Sequence, residues 1–285
     1  MGKDRKERIS DDTFSITMEL ERPLIIDQIN KHTEQKEKEL RRKNIKRKIL
    51  ITISIMLGIS LLGFFIWIGN TYEPGTLAKE ALISDKKVEV KIDKNIVFTP
   101  KNKDVTKGFI FYPGAKINPE AYAPICKEIA EAGYEVVILK MPLNIAFLGE
   151  NEASKVMKEY KNIKHWVVGG HSLGGVVASS FAAENNLVDG VVLLSSYPMT
   201  DKLKNMTKDV LSIWGSKDGV VNFESLIDSK KDLPNNTTYV EIEGANHSYF
   251  GDYGLQNGDN EALISEKEQI NKTAKSIIKF LKEIN

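Results

Sequence analysis

The hydrophobic pattern divides the chain into a charged N-terminal segment, one long apolar stretch and a region of short alternating elements. In that last region, short apolar runs rich in β-branched and aromatic residues alternate with longer amphipathic stretches, so the pattern predicts strands and helices in turn. Strands are predicted at 88–92, 96–100, 108–112, 134–139, 165–169, 188–195, 210–215 and 239–242, and helices near 119–132, 151–160, 174–185, 222–230 and 265–283. This alternation indicates an α/β domain over 88–285 with a doubly wound, mainly parallel sheet.

The long apolar stretch runs from Ile49 to Ile68 without a charged residue. At the rise of an α-helix, this length covers about 30 Å, which matches the hydrocarbon core of a bilayer. A buried helix of that length would show a polar face. A cleaved signal peptide would have a shorter apolar region and a small-residue cleavage site, which residues 68–72 do not offer. We therefore interpret 49–68 as an uncleaved transmembrane signal anchor.

Charge is distributed unevenly about this stretch, although the net charge of the whole chain is only +1. The basic residues that crowd its amino side are Lys36, Lys38, Arg41, Arg42, Lys43, Lys46, Arg47 and Lys48. The positive-inside rule then predicts a cytoplasmic basic tail over 1–48, a linker over 69–87 and an extracytoplasmic domain. A basic cluster beside anionic lipid is a membrane-surface feature, so the lipid bilayer is the expected partner of 49–68 and no nucleic acid is expected.

A G-x-S-x-G motif lies at 170–174, where a predicted strand meets a predicted helix. Strand, sharp turn and helix are the context in which this motif forms a nucleophile elbow, with the serine at the carboxyl edge of the sheet. Glycines on both sides let the backbone adopt a strained turn. Ser172 is therefore the candidate nucleophile.

A serine hydroxyl needs a base and an acid to become nucleophilic. In proteins with a nucleophile elbow, the acid follows the serine in the chain and the histidine base follows the acid. Asp218 lies in the turn after the predicted strand 210–215, and His247 lies in the loop after 239–242. These two are the expected acid and base, with Glu224 and Asp209 as weaker alternatives for the acid. The other three histidines are less suitable because His32 precedes the anchor, His165 opens a strand at the wrong end, and His171 is expected to point elsewhere on the elbow.

From 88 onward the chain resembles the compact bacterial α/β hydrolases that are grouped with dienelactone-hydrolase-like proteins and carboxylesterases. The segments that carry the resemblance are Phe111-Tyr112-Pro113-Gly114-Ala115, His165 to Gly175, Trp214-Gly215-Ser216-Lys217-Asp218, Gly244-Ala245-Asn246-His247 and Phe250 to Gly254. The resemblance implies an α/β-hydrolase fold with Ser172, Asp218 and His247 as a catalytic triad. Dienelactone hydrolases use a cysteine nucleophile where this chain has serine, so the resemblance indicates fold and mechanism more than substrate.

The surroundings of the site follow from the same order of elements. The backbone N–H groups of Leu173 and Ala115 are the expected oxyanion-hole donors. Leu173 directly follows the nucleophile, and Ala115 lies in the loop after the strand 108–112. Only 196–209 separates the sixth strand from the seventh, so a large lid is not expected. The residues proposed to line the substrate pocket are Tyr197, Met199, Met141 and Leu143. No metal-ligand cluster or phosphate loop occurs in the sequence, and no cofactor or metal is expected.

These features together predict a membrane-anchored serine hydrolase that acts outside the cytoplasm on a small-molecule ester or acyl substrate. An acyltransferase or a peptidase using the same triad is the near alternative. A catalytically silent anchored scaffold is the alternative from a different class.

Overall fold

The structure, a computed structural model, describes residues 4–101 and 104–284. Two compact units are present, Met1–Trp67 and Ile68–Asn285. The first unit belongs to helix α1, Asp4–Gly69, in which the charged segment before the apolar stretch is also helical. Ion pairs one turn apart support that segment, for example Lys31 Nζ to Asp27 Oδ2 at 2.7 Å.

Within α1, residues Arg22–Ile66 contain a window of mean hydropathy 2.6, long and apolar enough to cross a membrane. The large apolar side chains at 49–66 are exposed, whereas a core helix of a soluble domain would bury such side chains. By length and composition, α1 is therefore a candidate membrane span. A signal sequence near the N-terminus has the same properties.

The second unit is built on an eight-stranded sheet with the order β1-β2-β4-β3-β5-β6-β7-β8. The strands are β1 Val88–Ile92, β2 Ile96–Pro100, β3 Lys107–Tyr112, β4 Glu135–Ile138, β5 His165–His171, β6 Val188–Leu194, β7 Asp209–Gly215 and β8 Thr238–Ile242. Strand β2 pairs antiparallel with β1 and β4, and all the other pairs are parallel. The predicted fold class is confirmed, and each predicted strand is present.

Helices cover both faces of this sheet. They are α2 Thr76–Ala81, α3 Ala123–Glu131, α4 Glu152–Glu159, α5 Leu173–Glu184, α6 Phe223–Asp228 and α7 Glu266–Glu283. Successive strand residues point to opposite faces, so Phe109 and Phe111 pack with α3 and α7 while Ile110 and Tyr112 pack with α4 and α5. Burial on both faces is the reason that the central strands read as continuous apolar runs.

The predicted linker 69–87 is instead packed against the domain. Tyr72 N–H donates to the Lys116 carbonyl at 2.8 Å. Helix α2 also begins in this segment, and the N–H of Ala78 donates to Asp252 Oδ2 at 2.7 Å. The pattern prediction missed α2 because it is only six residues long and its partners are remote in the chain.

Candidate active site

The candidate nucleophile, Ser172, lies between the end of β5 and the start of α5. Its backbone adopts φ 51° and ψ −124°, a region that costs a residue with a Cβ about 1–3 kcal/mol. Two hydrogen bonds hold it there: Ser172 N–H donates to the Leu194 carbonyl at 2.9 Å, and Ser196 Oγ donates to the Ser172 carbonyl at 2.7 Å. The strand, strained turn and helix of a nucleophile elbow are therefore present at the motif.

The glycines of the motif are required by close approach of the backbone. A Cβ on Gly174 would lie 2.1 Å from the Tyr112 carbonyl oxygen, and a Cβ on Gly170 would lie 2.4 Å from the carbonyl carbon of Gly174. Both distances are far below van der Waals contact. The start of α5 can thus approach the end of β3 only because neither residue has a side chain.

The candidate acid and base form a buried pair. His247 Nδ1 lies 2.8 Å from Asp218 Oδ2, with 1% and 0% of the two side chains exposed. Asp218 Oδ1 accepts hydrogen bonds from the N–H groups of Val220 and Val221, each at 2.8 Å. Burial raises the pKa of Asp218, but the hydrogen bond and charge of His247 oppose it, and the pKa lies below its usual 3.8. A carboxylate that is charged at neutral pH favours the Nδ1–H tautomer and leaves Nε2 as the basic atom.

Ser172 and His247 line one cavity of about 260 Å³ at the carboxyl edge of the sheet. His247 Nε2 is buried and has no hydrogen-bond partner among the described residues. The cavity is lined by Ser172, Leu173, Val176, Ser195, Ser196, Tyr197, Val220, Val221, Asn222 and His247. The structure thus pairs Asp218 with His247 and places His247 and Ser172 in the lining of one cavity, with no hydrogen bond between these last two residues.

The alternative acids lie elsewhere. Asp209 begins β7 at the opposite edge of the sheet and accepts a hydrogen bond from Asn236 Nδ2 at 2.7 Å. Glu224 is exposed in the first turn of α6. Asp218 lies in the turn after the carboxyl end of β7, which we call the acid turn. This position brings it to the loop after β8 that carries His247, which we call the histidine loop.

The two predicted oxyanion donors lie on the loop after β3 and at the first residue of α5. Gly114 N–H is occupied, since it lies 3.1 Å from Tyr122 Oη. In the part of the chain that the structure describes, the N–H groups of Ala115 and Leu173 have no acceptor. Leu173 also opens a helix of 12 residues, whose N-terminal dipole favours negative charge. Both groups are thus available to an oxyanion.

Of the four residues proposed to line the pocket, Tyr197 lines the cavity. Met141 is buried in the core cluster around α4 and α5, which corrects that prediction. Leu143 and Met199 are exposed and lie outside the lining of the cavity. Pattern reasoning missed Val220 to Asn222, which enter the lining because they follow the acid turn directly.

A second buried histidine contacts the candidate base. The ring centroids of His171 and His247 are 4.4 Å apart, and His171 Nδ1 lies 2.9 Å from Tyr122 Oη. Burial, followed by the charge of His247, holds the pKa of His171 well below 6.5, so the ring is neutral and shares a hydrogen bond with the Tyr122 hydroxyl. Because Tyr122 Oη also accepts the Gly114 N–H, this contact links the loop after β3 to the elbow. No sequence signal singled out Tyr122.

Asp259 joins the two loops that carry the acid and the base. Its Oδ1 accepts from Gly219 N–H at 2.9 Å and from His247 N–H at 3.3 Å. Its Oδ2 accepts from the N–H and the hydroxyl of Ser248, at 2.7 and 2.5 Å. One carboxylate therefore holds the acid turn against the histidine loop. Sequence reasoning missed it because nothing in a Gly-Asp-Asn loop indicates a partner 40 residues away.

Comparison with known proteins agrees with the fold and with the position of the site. Residues 108–271, more than half of the chain, match the Alpha/beta hydrolase family. The chain belongs to this family and is a hydrolase. The comparison with curated protein sequences gave no match.

Several solved esterases have a similar fold at low sequence identity. The esterase domain of a Rhodothermus marinus protein is 14% identical, with 65% of this chain and 90% of that chain covered and a TM-score of 0.53. A thermostable esterase from Pseudomonas putida is 16% identical over 73% of this chain and 88% of its own, with a TM-score of 0.53. Esterase 2 of Thermogutta terrifontis is 16% identical over 71% and 97%, with a TM-score of 0.54. At these identities the likeness concerns the fold.

Proposed function

We propose that the chain is a membrane-anchored serine esterase. The single observation that carries this proposal is the buried His247–Asp218 pair at 2.8 Å, which shares a cavity with a serine on a strained elbow. Structural cores do not require this combination, whereas acyl transfer does, because it needs a nucleophile, a base and an oriented acid within reach of one another.

The proposed reaction has two steps. Ser172 Oγ attacks the ester carbonyl while its proton passes to His247 Nε2, and the N–H groups of Leu173 and Ala115 stabilise the oxyanion. Collapse of the tetrahedral intermediate breaks the bond to the alcohol oxygen, which takes the proton from the imidazolium. Water then attacks the acyl-enzyme with His247 as base, and release of the acid restores Ser172. Asp218 stays charged and orients the imidazole throughout.

The lining of the cavity supports a short acyl group. Its volume of about 260 Å³ lies below the usual range for drug-sized ligands, which begins at about 300 Å³. Val176, Val220 and Val221 supply apolar surface, and Tyr197 and Asn222 supply polar groups at the same cavity. Such a lining fits a small aliphatic acyl chain beside a polar leaving group. The esterase descriptions of the structural neighbours agree with this substrate class.

The anchor and its orientation are part of the proposal. Helix α1 has the length and composition of a membrane span, and its basic residues concentrate before residue 49. The positive-inside rule then places the tail in the cytoplasm and the hydrolase domain outside it.

The proposal is tested by labelling the full-length chain in detergent with a fluorophosphonate and assaying a series of chromogenic esters. We expect covalent labelling at Ser172 and fastest hydrolysis of acetyl to butyryl esters. Ser180→Ala, on the same helix but outside the cavity lining, is the matched control and should label normally. Absence of labelling would favour a silent scaffold, and transfer to added alcohols or amines in preference to water would favour an acyltransferase.

A further inference from the structure

Three large apolar side chains that are close in sequence are exposed on the loop between β4 and α4. Leu143, Phe147 and Leu148 are 47%, 47% and 54% exposed within six residues of chain. Scattered apolar residues are ordinary on protein surfaces, whereas a local group of them indicates a contact. We name these three residues the apolar loop cluster.

Folding does not account for the apolar character of this cluster. The contacts of the loop with the core are made by Met141 and Ala146, which are buried. Leu143 has φ 55°, a left-handed conformation that asparagine or glycine adopts at less cost. A half-exposed leucine at such a position stabilises neither the turn nor the core, so its side chain points to a role outside the fold.

The cluster lies beside the point where the chain enters the domain from the candidate membrane span. Tyr72 N–H donates to the Lys116 carbonyl at 2.8 Å, and Lys116 N–H donates to the Asn144 carbonyl at 3.0 Å. Two consecutive hydrogen bonds therefore connect Tyr72 to the apolar loop through the loop that carries Ala115. Entry point, oxyanion loop and apolar cluster are neighbours at the carboxyl edge of the sheet.

The length of the chain then limits how far this edge can be from a membrane. The span proposed above ends at Ile68, α1 ends at Gly69, and only Asn70 and Thr71 precede Tyr72. Three residues extend at most about 11 Å. With 49–68 across the bilayer, Tyr72 is held within about that distance of the helix end, which is only a few Å more than the headgroup region of about 5–8 Å on each side of the hydrocarbon core.

We infer that the apolar loop cluster contacts the lipid surface of the bilayer, with Leu143, Phe147 and Leu148 in its interfacial region. The occupant is the bilayer that the proposed anchor crosses, because the anchor joins the domain at Tyr72, which two consecutive hydrogen bonds connect to this loop. Apolar side chains at the boundary between headgroups and acyl chains bind through the area that they bury. The contact places the carboxyl edge of the sheet, which carries Ser172 and His247, toward the interface. This inference rests on the proposed membrane anchor.

Spin labels at three positions test it in the full-length protein reconstituted into vesicles of phosphatidylcholine and phosphatidylglycerol. Cys126 is fully buried, so an introduced surface cysteine is the labelled thiol. Leu148→Cys reports on the cluster and Leu57→Cys on the span. Leu187→Cys, 66% exposed in the connection from α5 to the amino end of β6, is the matched aqueous control. Collision with dissolved oxygen and with a water-soluble nickel chelate measures the depth of each label.

We expect oxygen to dominate at 57 and 148 and the nickel chelate at 187. A label at 148 as accessible to nickel as that at 187, while 57 is embedded, would overturn the inference and leave the anchor intact. A label at 57 that is open to nickel would overturn the anchor and the inference together. Hydrolysis of a soluble acetyl ester by each labelled protein checks the fold, and Phe147→Cys should repeat the result at 148.

Discussion

At the scale of single residues, the backbone of Ser172 shows how the elbow is maintained. Its φ of 51° with ψ of −124° is unfavourable for any residue with a Cβ, yet it aims the side chain into the cavity between the first turn of α5 and the histidine loop. The cost is offset by packing in the sheet, where Gly170 and Gly174 allow the close approach.

Replacing Ser172 separates chemistry from strain. Ser172→Ala should abolish fluorophosphonate labelling and turnover, because no nucleophile remains. Ser172→Gly should be equally inactive but about 1 kcal/mol more stable than Ser172→Ala, because glycine adopts this conformation without strain. Part of that gain is lost because glycine has more backbone freedom in the unfolded chain. Thermal unfolding of the two variants measures the difference, and equal melting temperatures would show that the elbow stores no strain.

The His247–Asp218 pair predicts a graded loss of activity. His247→Ala should lose nearly as much turnover as Ser172→Ala because the two act as one unit. Asp218→Asn should lower turnover by about 10⁴, as in the serine-protease triad, because the amide stabilises the wrong imidazole tautomer. His165→Ala and Asp228→Asn, on residues away from the cavity, are the matched controls. Activity of Asp218→Asn within about tenfold of wild type would remove Asp218 from the proposed mechanism.

At the scale of elements, the site depends on loops that are held by residues outside the proposed triad. Asp259 accepts hydrogen bonds from both the acid turn and the histidine loop, so the relative position of Asp218 and His247 depends on a third loop. The pairing of β2 with β4 contains another buried carboxylate, Glu135, whose ionisation affects stability rather than chemistry.

Asp259→Ala should lower kcat about 10- to 100-fold with little change in KM, because the imidazole is displaced relative to the nucleophile. Loss of the acceptor also leaves several backbone N–H groups unpaired, at a cost of about 1–3 kcal/mol. Asp259→Asn retains one carbonyl oxygen and should fall between Asp259→Ala and wild type. Steady-state kinetics with a short ester measures this, and a change confined to melting temperature would assign Asp259 a purely structural role.

Glu135 predicts a pH dependence of stability. It is buried in β4 and bonded to Thr99 Oγ1 of β2 at 2.7 Å, and burial raises its pKa to about 7. The pKa of this carboxyl in the unfolded chain is about 4.3, so as the pH rises the unfolded state releases the proton before the folded state does. The free energy of unfolding therefore falls between about pH 4.3 and 7. Glu135→Gln keeps a neutral hydrogen-bonding group. Unfolding by urea should show the variant equal to wild type near pH 4 and more stable at pH 8, and a constant difference would contradict the raised pKa.

At the scale of the whole molecule, the proposed organisation separates a charged tail from a hydrolase domain by a single span. The described residues place Tyr72 and α2 within the fold of the domain, so little free chain is left after the proposed anchor. The compartment in which the hydrolase domain meets its substrate then depends on which side of the membrane the domain occupies.

Protease added to spheroplasts that express the chain tests its orientation. The hydrolase domain should be digested while an epitope on the tail is protected, because the basic residues before residue 49 favour retention in the cytoplasm. Permeabilised cells, in which both parts are cut, serve as the control. Protection of the domain with loss of the tail epitope would reverse the proposed topology.

The sequence by itself determined the sheet and the order of the candidate site residues. Buried parallel strands must be apolar on both faces, so β3, β5 and β6 could be predicted as apolar runs. The elbow could be predicted because Gly170 and Gly174 flank Ser172 between a strand and a helix. Asp218 and His247 could be predicted because both follow strands that end at the same edge. Tertiary structure alone decided the packing of Tyr72 and α2, the burial of Met141, the contact of His171 with His247 and the role of Asp259. These features depend on contacts between residues far apart in the chain, and such contacts leave no periodic pattern in the sequence.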